Sequence, residues 1–275
     1  MRELPEALVQ AEQLQAAVIG RTVKNAVANA SLHGFAWYHG DPAGYTGMLE
    51  GKTISEVRTF GSFVEMQLGN TGLSLCEGAS LRLFPKEAKP PDRHQLYMLL
   101  DDGSFLISTV SMYGGIFCYE MGAMDGKFYL SAQNSLSPFS DDFDLPHFLS
   151  LIPEQPRAMS VKALLATEQR IAGFGNGVLQ DVLWHARMHP RLKIATFNEA
   201  DCQRLFKVLK ETLLAMYQGG GRDVEKDLHG QEGGYRTILS AKTVGKPCPA
   251  CGSIILREAF LGGNIYYCPS CQPKP

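Results

Sequence analysis

Four of the seven cysteines fall within 24 residues, as Cys248-Pro-Ala-Cys251, sixteen residues, then Cys268-Pro-Ser-Cys271. Two such knuckles joined by a hairpin bring four thiolates round one ion, in the tetrahedral geometry that Zn²⁺ accepts. Ile254-Ile255-Leu256 and Ile265-Tyr266-Tyr267 read as the hairpin strands, around Leu261-Gly262-Gly263-Asn264. Four sulfur ligands leave no position for water, so the site is expected to be structural rather than catalytic. The alternative is a redox pair or disulfides, which belong to oxidising compartments. Cys76, Cys118 and Cys202 are scattered and are expected to behave as small buried hydrophobes.

The remaining length bounds the architecture. A chain of 275 residues, 45% hydrophobic, can form one large domain or two ordinary ones. It has no run of 18 apolar residues, so no membrane span is expected. The opening MRELPEALVQAE carries acids and lacks an apolar core, unlike a secretory signal. A cytoplasmic protein is therefore expected. Charge is unevenly spread. Residues 1–156 hold 10 Lys+Arg against 18 Asp+Glu, a balance of −8, and residues 157–275 hold 16 against 10, a balance of +6. A polyanion would be held mainly by the second half.

In chain order, Pro5 to Ile19 reads as a helix with Leu4, Leu8, Ala11, Leu14 (or Gln15) and Val18 on one face. Pro5 suits its first turn and Gly20 its stop. Glu3 and Glu6 sit at its positive end, where a carboxylate can serve as a cap. Residues 22–130 read as short β-strands between glycine-rich turns, a sandwich or flattened barrel. The clearest hairpin is Leu96 to Leu100, Asp-Asp-Gly-Ser, and Phe105 to Ile107. Ser140-Asp141-Asp142 is a cap signal for a short helix before Pro153, and Pro153 to Pro156 reads as a linker. The second half is helical: Val161 to Ile171, capped by Ser160; Val178 to Met188; and Asn198 to Gln218, with Leu205, Leu209, Leu213 and Tyr217 (or Met216) on one stripe. Residues 222–245 read as a long loop of the kind that carries function or moves. The expected fold class is α+β, with domains at 1–152, 153–245 and 246–275.

Between two of those helices lies Gly173-Phe-Gly175-Asn176-Gly177. Glycines there permit a tight corner and close approach, and Asn176 stands where the next helix begins. A helix N-terminus offers unpaired N–H groups and partial positive charge, a site for a phosphate. The corner equally suits a helix turn with no ligand.

These pieces, in this order, resemble the formamidopyrimidine-DNA glycosylase / endonuclease VIII family. The resemblance rests on MRELPE, on Ser140-Asp-Asp-Phe-Asp144, and on KALLATEQRIAGFGN (Lys162 to Asn176) with His189-Pro190. Gln218-Gly-Gly220 and the two CxxC pairs complete it. It covers nearly the whole chain. It implies an N-terminal β-sandwich carrying the first helix, and a helix–two-turn–helix domain with a zinc finger. It also implies a monomeric chain working on double-stranded DNA, damaged or abasic, in base excision repair. Lys162, Gly175, Asn176 and Gly177 become the candidate phosphate contacts, with Zn bound by Cys248, Cys251, Cys268 and Cys271.

The sequence departs from the family where the chemistry lies. The family's nucleophilic proline is matched by Arg2, which leaves Met1 in place, and its strand lysine by Gly61-Ser62-Phe63. Its void-filling Met is matched by Ala79, its intercalating Arg-Phe pair by Met112-Tyr113, and its zinc-hairpin Arg by Asn264. The candidate catalytic groups that remain are Glu3, Glu6 and the Met1 α-amine. Two readings follow: a glycosylase with altered chemistry and doubtful lyase activity, or an inactive module for bent or lesioned DNA or structured RNA. Tyr113 suits stacking on a base, and equally a core position at a strand end.

Overall fold

The computed structural model describes residues 1–156 and 158–275. They form two compact units: Met1–Asn134 with Glu225–Gly233, and Ser135–Val224 with Gly234–Pro275.

The first unit begins with helix α1 (Leu4–Val18). Leu4, Ala7, Ala11, Leu14 and Val18 are buried, and Gly20, at φ 81°, turns the chain out of the helix. Strands β1 (Val23–Ala28) and β2 (Ala36–Tyr38), a short helix α2 (Tyr45–Leu49), and strands β3 (Glu56–Phe60), β4 (Phe63–Leu68), β5 (Thr71–Phe84), β6 (Leu96–Leu100) and β7 (Phe105–Glu120) follow. The sheet runs β1-β6-β7-β5-β4-β3, with β2 added parallel to β7. Where the sequence reads as short strands, β5 is a single strand of 14 residues. β5 and β7 pair along almost their whole length, broken only by a register shift between Glu77 and Ala79. Such an irregularity bends a long strand and lets one sheet fold into the layers of a sandwich. The core between includes Leu49, Ile54, Met66, Leu73, Leu81, Leu96, Met98 and Ile116.

Helix α3 (Lys127–Asn134) follows the sheet, its first four residues within the stretch 22–130 expected to be β. A buried carboxylate anchors it. Glu65 accepts hydrogen bonds from Ser74 Oγ (2.6 Å), the Tyr129 hydroxyl (2.7 Å), Arg58 Nε (2.6 Å) and the Tyr119 hydroxyl. Burial alone would raise the Glu65 carboxyl; the hydrogen bonds and the Arg58 charge outweigh it and hold it below the usual range.

The segment Glu225–Gly233 is stitched to the first unit. Leu228 is fully buried in the sandwich core, its carbonyl accepts from Leu83 N (2.9 Å), and its N–H donates to Gln13 Oε1 (2.9 Å). Gln13 Nε2 donates to Asp227 at 2.8 Å. Burying one leucine contributes roughly 1.5–3 kcal/mol, enough to seat a short strap.

The second unit opens with α4 (Leu145–Ser150), capped by Asp144, whose Oδ1 accepts from His147 N at 2.8 Å, and not by Ser140. The expected helix Val161–Ile171 is shorter. It widens at Ala163–Thr167 and ends where Gln169 turns left-handed at φ 51°. Helix α5 (Asn176–His185) and helix α6 (Glu199–Gln218) follow; Asn198 and Asp201 form a reciprocal cap, and Leu205, Leu209, Leu213 and Met216 face inward. The chain closes with the hairpin β8 (Leu256–Phe260) and β9 (Gly263–Tyr267). Leu261 and Gly262 at its tip both have positive φ, the mirror-image turn that matches strand twist. Among the described residues no helix is long and apolar enough to cross a membrane.

His189 is buried in this unit. Its Nδ1 accepts from Arg191 N (3.1 Å), its Nε2 has no partner, and its ring stands edge-on to Tyr267 at 4.5 Å. Burial pushes its imidazole down to about 4, whereas an unfolded histidine titrates near ~6.5. Between those values only the unfolded chain takes up the proton, so stability falls as pH drops from about 6.5 to about 4. Urea midpoints at pH 7 and pH 5 should therefore differ, and His189→Gln should narrow the difference; an unchanged difference would contradict this assignment.

Candidate nucleic-acid interface

In the second unit the glycine corner and the zinc hairpin are bonded to each other. Gly173, at φ 74°, makes the turn that a side chain would strain, and Gly175 precedes the first turn of α5. The Asn176 side chain does not cap the helix. Its Nδ2 donates to the Asn264 carbonyl at 2.8 Å, while its Oδ1 is buried without a partner. Gln180, one turn on, donates to the Asn176 carbonyl (2.8 Å) and accepts from Tyr266 N (3.0 Å). Lys162 is buried, and its Nζ donates to the Phe260 carbonyl at 2.6 Å. Burial, then the nearby Arg191 charge, lowers the Lys162 ammonium. Arg191 lies 4.0 Å over the Phe260 ring and pairs with Glu258 at 3.3 Å. Lys162, Asn176 and Asn264 thus converge on one corner beside the N-terminus of α5. Asn264 contributes its backbone carbonyl to that joint.

The hairpin is held by the cysteines. The four Sγ atoms lie within 4.8 Å of one another, with Cys248 and Cys271 3.8 Å apart and Cys251 and Cys268 3.3 Å apart. A tetrahedron with Zn–S bonds of about 2.3 Å has S···S edges near ~3.8 Å, so this set fits zinc. Trp184 of α5 donates Nε1–H to Cys248 Sγ (3.4 Å), and Gln272 bridges Cys268 N (3.0 Å) and the Met188 carbonyl (2.9 Å). Such outer contacts orient the ligands and tie the ion to the helices.

In the first unit the N-terminal residues occupy a separate site. Arg2 is not exposed: it runs into the sandwich, donating from Nε to the Ser62 carbonyl (3.3 Å), from its terminal nitrogens to the Leu75 carbonyl (2.6 Å) and to Gln10 Oε1. Burial brings its guanidinium down to about 10, still charged at neutral pH. Glu6 accepts from Glu3 N at 3.1 Å, and the two form a reciprocal cap on α1. The Met1 α-amine forms an ion pair with Glu225 on the strap. Glu77 sits at the β5 irregularity with φ 53°, a conformation rare outside glycine. Its carboxyl is raised by burial and then by Glu3, and pulled back by Arg2 and the terminal amine. The Tyr113 hydroxyl is raised by burial, then by Glu77 and Glu3. Met1, Glu3, Glu77, Tyr113 and Glu225 therefore share one neighbourhood, and Met112 is exposed beside it. Glu77 and Glu225 escaped the sequence reading. Glu77-Gly78 inside a strand was a bulge signal, and Glu225 lay in the loop whose length pointed to function.

One zinc per chain is expected by elemental analysis, falling to substoichiometric in Cys268→Ser. Chelation should red-shift the emission of Trp184 as its contact with Cys248 opens; full metal loss with unchanged emission would contradict this coupling.

Comparison with known proteins adds to this geometry. Residues 245–274 match the family "Zinc finger found in FPG and IleRS". The formamidopyrimidine-DNA glycosylase of Thermus thermophilus is 29% identical over 280 residues, covering 99% of this chain and 98% of its own. That of Symbiobacterium thermophilum is 27% identical, covering 100% and 90%. The crystal structure of the MutM (Fpg) protein of Thermus thermophilus superposes with a TM-score of 0.81 at 26% identity over 99% of both chains. A complex of Lactococcus lactis Fpg with abasic-site DNA has the same fold, at a TM-score of 0.83 and 22% identity over 99% of this chain and 100% of that one. End-to-end similarity, the four-cysteine hairpin and the N-terminal helix agree: over its whole length the chain is similar to formamidopyrimidine-DNA glycosylases, with Arg2 rather than proline after the initial methionine.

Proposed function

We propose that this chain binds damaged or abasic double-stranded DNA and releases damaged bases with altered chemistry, its strand-cutting lyase step weakened. The observation that carries the reading is the fate of position 2. Arg2 spends its side chain on the core, so the Met1 α-amine is the amine left beside Glu3. Asn176 and the N-terminus of α5 supply a phosphate grip, with Lys162 bracing the hairpin behind it, and such a grip positions DNA without reading sequence.

Two routes use these groups. In the first, water attacks the sugar C1′ as the C1′–N bond breaks. The bond's electrons leave with the base, and a carboxylate, Glu3 by position, takes the water proton. In the second, the Met1 amine adds to the C1′ aldehyde of an abasic sugar and loses water to give an imine, the step preceding β-elimination. The ion pair of Met1 with Glu225 favours the first route, because the amine must leave its carboxylate before it can add. It also supports a second reading, a module that binds lesions without chemistry.

The test is incubation with duplexes carrying oxidised bases, alkylated bases or an abasic site, scoring binding, base release and strand cleavage together. Expected are binding that weakens steeply with salt and base release exceeding cleavage. Asn176→Ala should bind all duplexes roughly tenfold less tightly, the loss of about one charged hydrogen bond. Binding without base release across the panel would leave the binding-only reading; no binding would remove both.

A further inference from the structure

Strand β2 and the residues around it present an exposed apolar surface next to the N-terminal site. Leu32, Phe35, Trp37 and Met112 are 88%, 64%, 46% and 68% exposed. Trp37 and Tyr113 lie side by side, ring centroids 5.6 Å apart and planes tilted by 31°. The backbone beneath is fixed. β2 pairs with β7 from Gly114 to Ile116, and Gly114 N donates to the Phe35 carbonyl at 3.0 Å. On the other side of β7, a Cβ on Gly114 would stand 2.4 Å from Ala79 N, so β7 and β5 approach as closely as bare backbone allows. Trp37 is thus held out to solvent on a stiff edge, beside the half-buried Tyr113 ring.

We infer that Trp37, with Tyr113, is a stacking platform for an unpaired nucleobase of opened DNA. The inference rests on the DNA-binding reading above and adds to it a residue and a contact. Exposed contiguous apolar groups on a folded chain mark an interaction site. Three observations select a base as the occupant. The rings offer π-faces, to which any base can stack. The platform is continuous with the N-terminal site: a Cβ placed on Gly78 would lie 2.4 Å from the Tyr113 carbonyl and 3.7 Å from Met1 Sδ. The adjoining recess sets Arg93 and the polar groups of His33, Thr109 and Ser111 beside Leu32 and Val110, a mixed lining that can take both the face of a base and its phosphate. A base displaced near the Met1 and Glu3 groups would pass onto the rings instead of into water.

The chain has two tryptophans, Trp37 and the buried Trp184, so intrinsic emission separates them. Full-length protein is titrated with a duplex containing a tetrahydrofuran abasic-site analogue and with the intact duplex. Emission is followed in wild type, Trp37→Leu and Trp37→Phe. The abasic duplex should quench wild-type emission and leave Trp37→Leu unchanged. Trp37→Leu should bind that duplex roughly 5- to 150-fold less tightly, the range for losing one base–aromatic stack, with Trp37→Phe in between and intact-duplex affinity within about twofold. Equal affinity of Trp37→Leu for the abasic duplex, or binding without quenching, overturns the platform and leaves DNA binding standing. Self-association in sedimentation that Trp37→Leu abolishes assigns the surface to a second copy and also overturns it. Failure of every variant to bind either duplex removes the DNA-binding reading and this inference with it.

Discussion

A guanidinium buried in an apolar sandwich must be met by acceptors, and the N-terminal site is arranged around that requirement. Arg2 finds the Leu75 and Ser62 carbonyls and Gln10, whose own amide continues to the Leu81 carbonyl at 3.1 Å. Removing a partner from such a buried set costs about 3–5 kcal/mol, so Arg2 is bound into the fold. With the Arg2 side chain turned inward, the amine of Met1 lies outside the sandwich and pairs with Glu225.

The second unit depends on a different coupling. The thiolates shape the hairpin, and the hairpin presents the Phe260 and Asn264 carbonyls to Lys162 and Asn176. Four thiolate ligands leave zinc no open position, and its role is to set the geometry of the corner. In this chain the hairpin tip carries Asn264 where the family has an arginine, so the corner has fewer fixed cations. Lys162 spends its ammonium on a carbonyl, and the grip rests more on helix α5 and backbone than on salt bridges.

Much of this was legible in residues. The cysteine spacing, the Asp-Asp-Gly-Ser hairpin, the α6 stripe and the Gly173–Asn176 corner are local patterns with local causes, and the structure has each of them. What sequence could not give is long-range. Helix α3 is tied to Glu65, some sixty residues earlier in the chain, a contact that no local pattern announces. The helix after Ser160 stops early because Gln169 turns left-handed, a conformation no composition rule announces. The strap Glu225–Gly233 is anchored by Leu228 in a core built almost wholly from residues before 120. Glu225 reaches Met1 only through that anchoring, and Trp37 meets Tyr113 only through the β2–β7 register.

The central proposal is that the Met1 α-amine is the amine left at this site and that its ion pair with Glu225 restrains it from attack. The most direct measurement is borohydride reduction on an abasic duplex, followed by peptide mapping of the adduct by mass spectrometry. The account predicts a slowly formed adduct on the Met1 α-amine that blocking this amine abolishes and Glu225→Gln increases. An adduct on a lysine side chain, or one indifferent to Glu225, would contradict it.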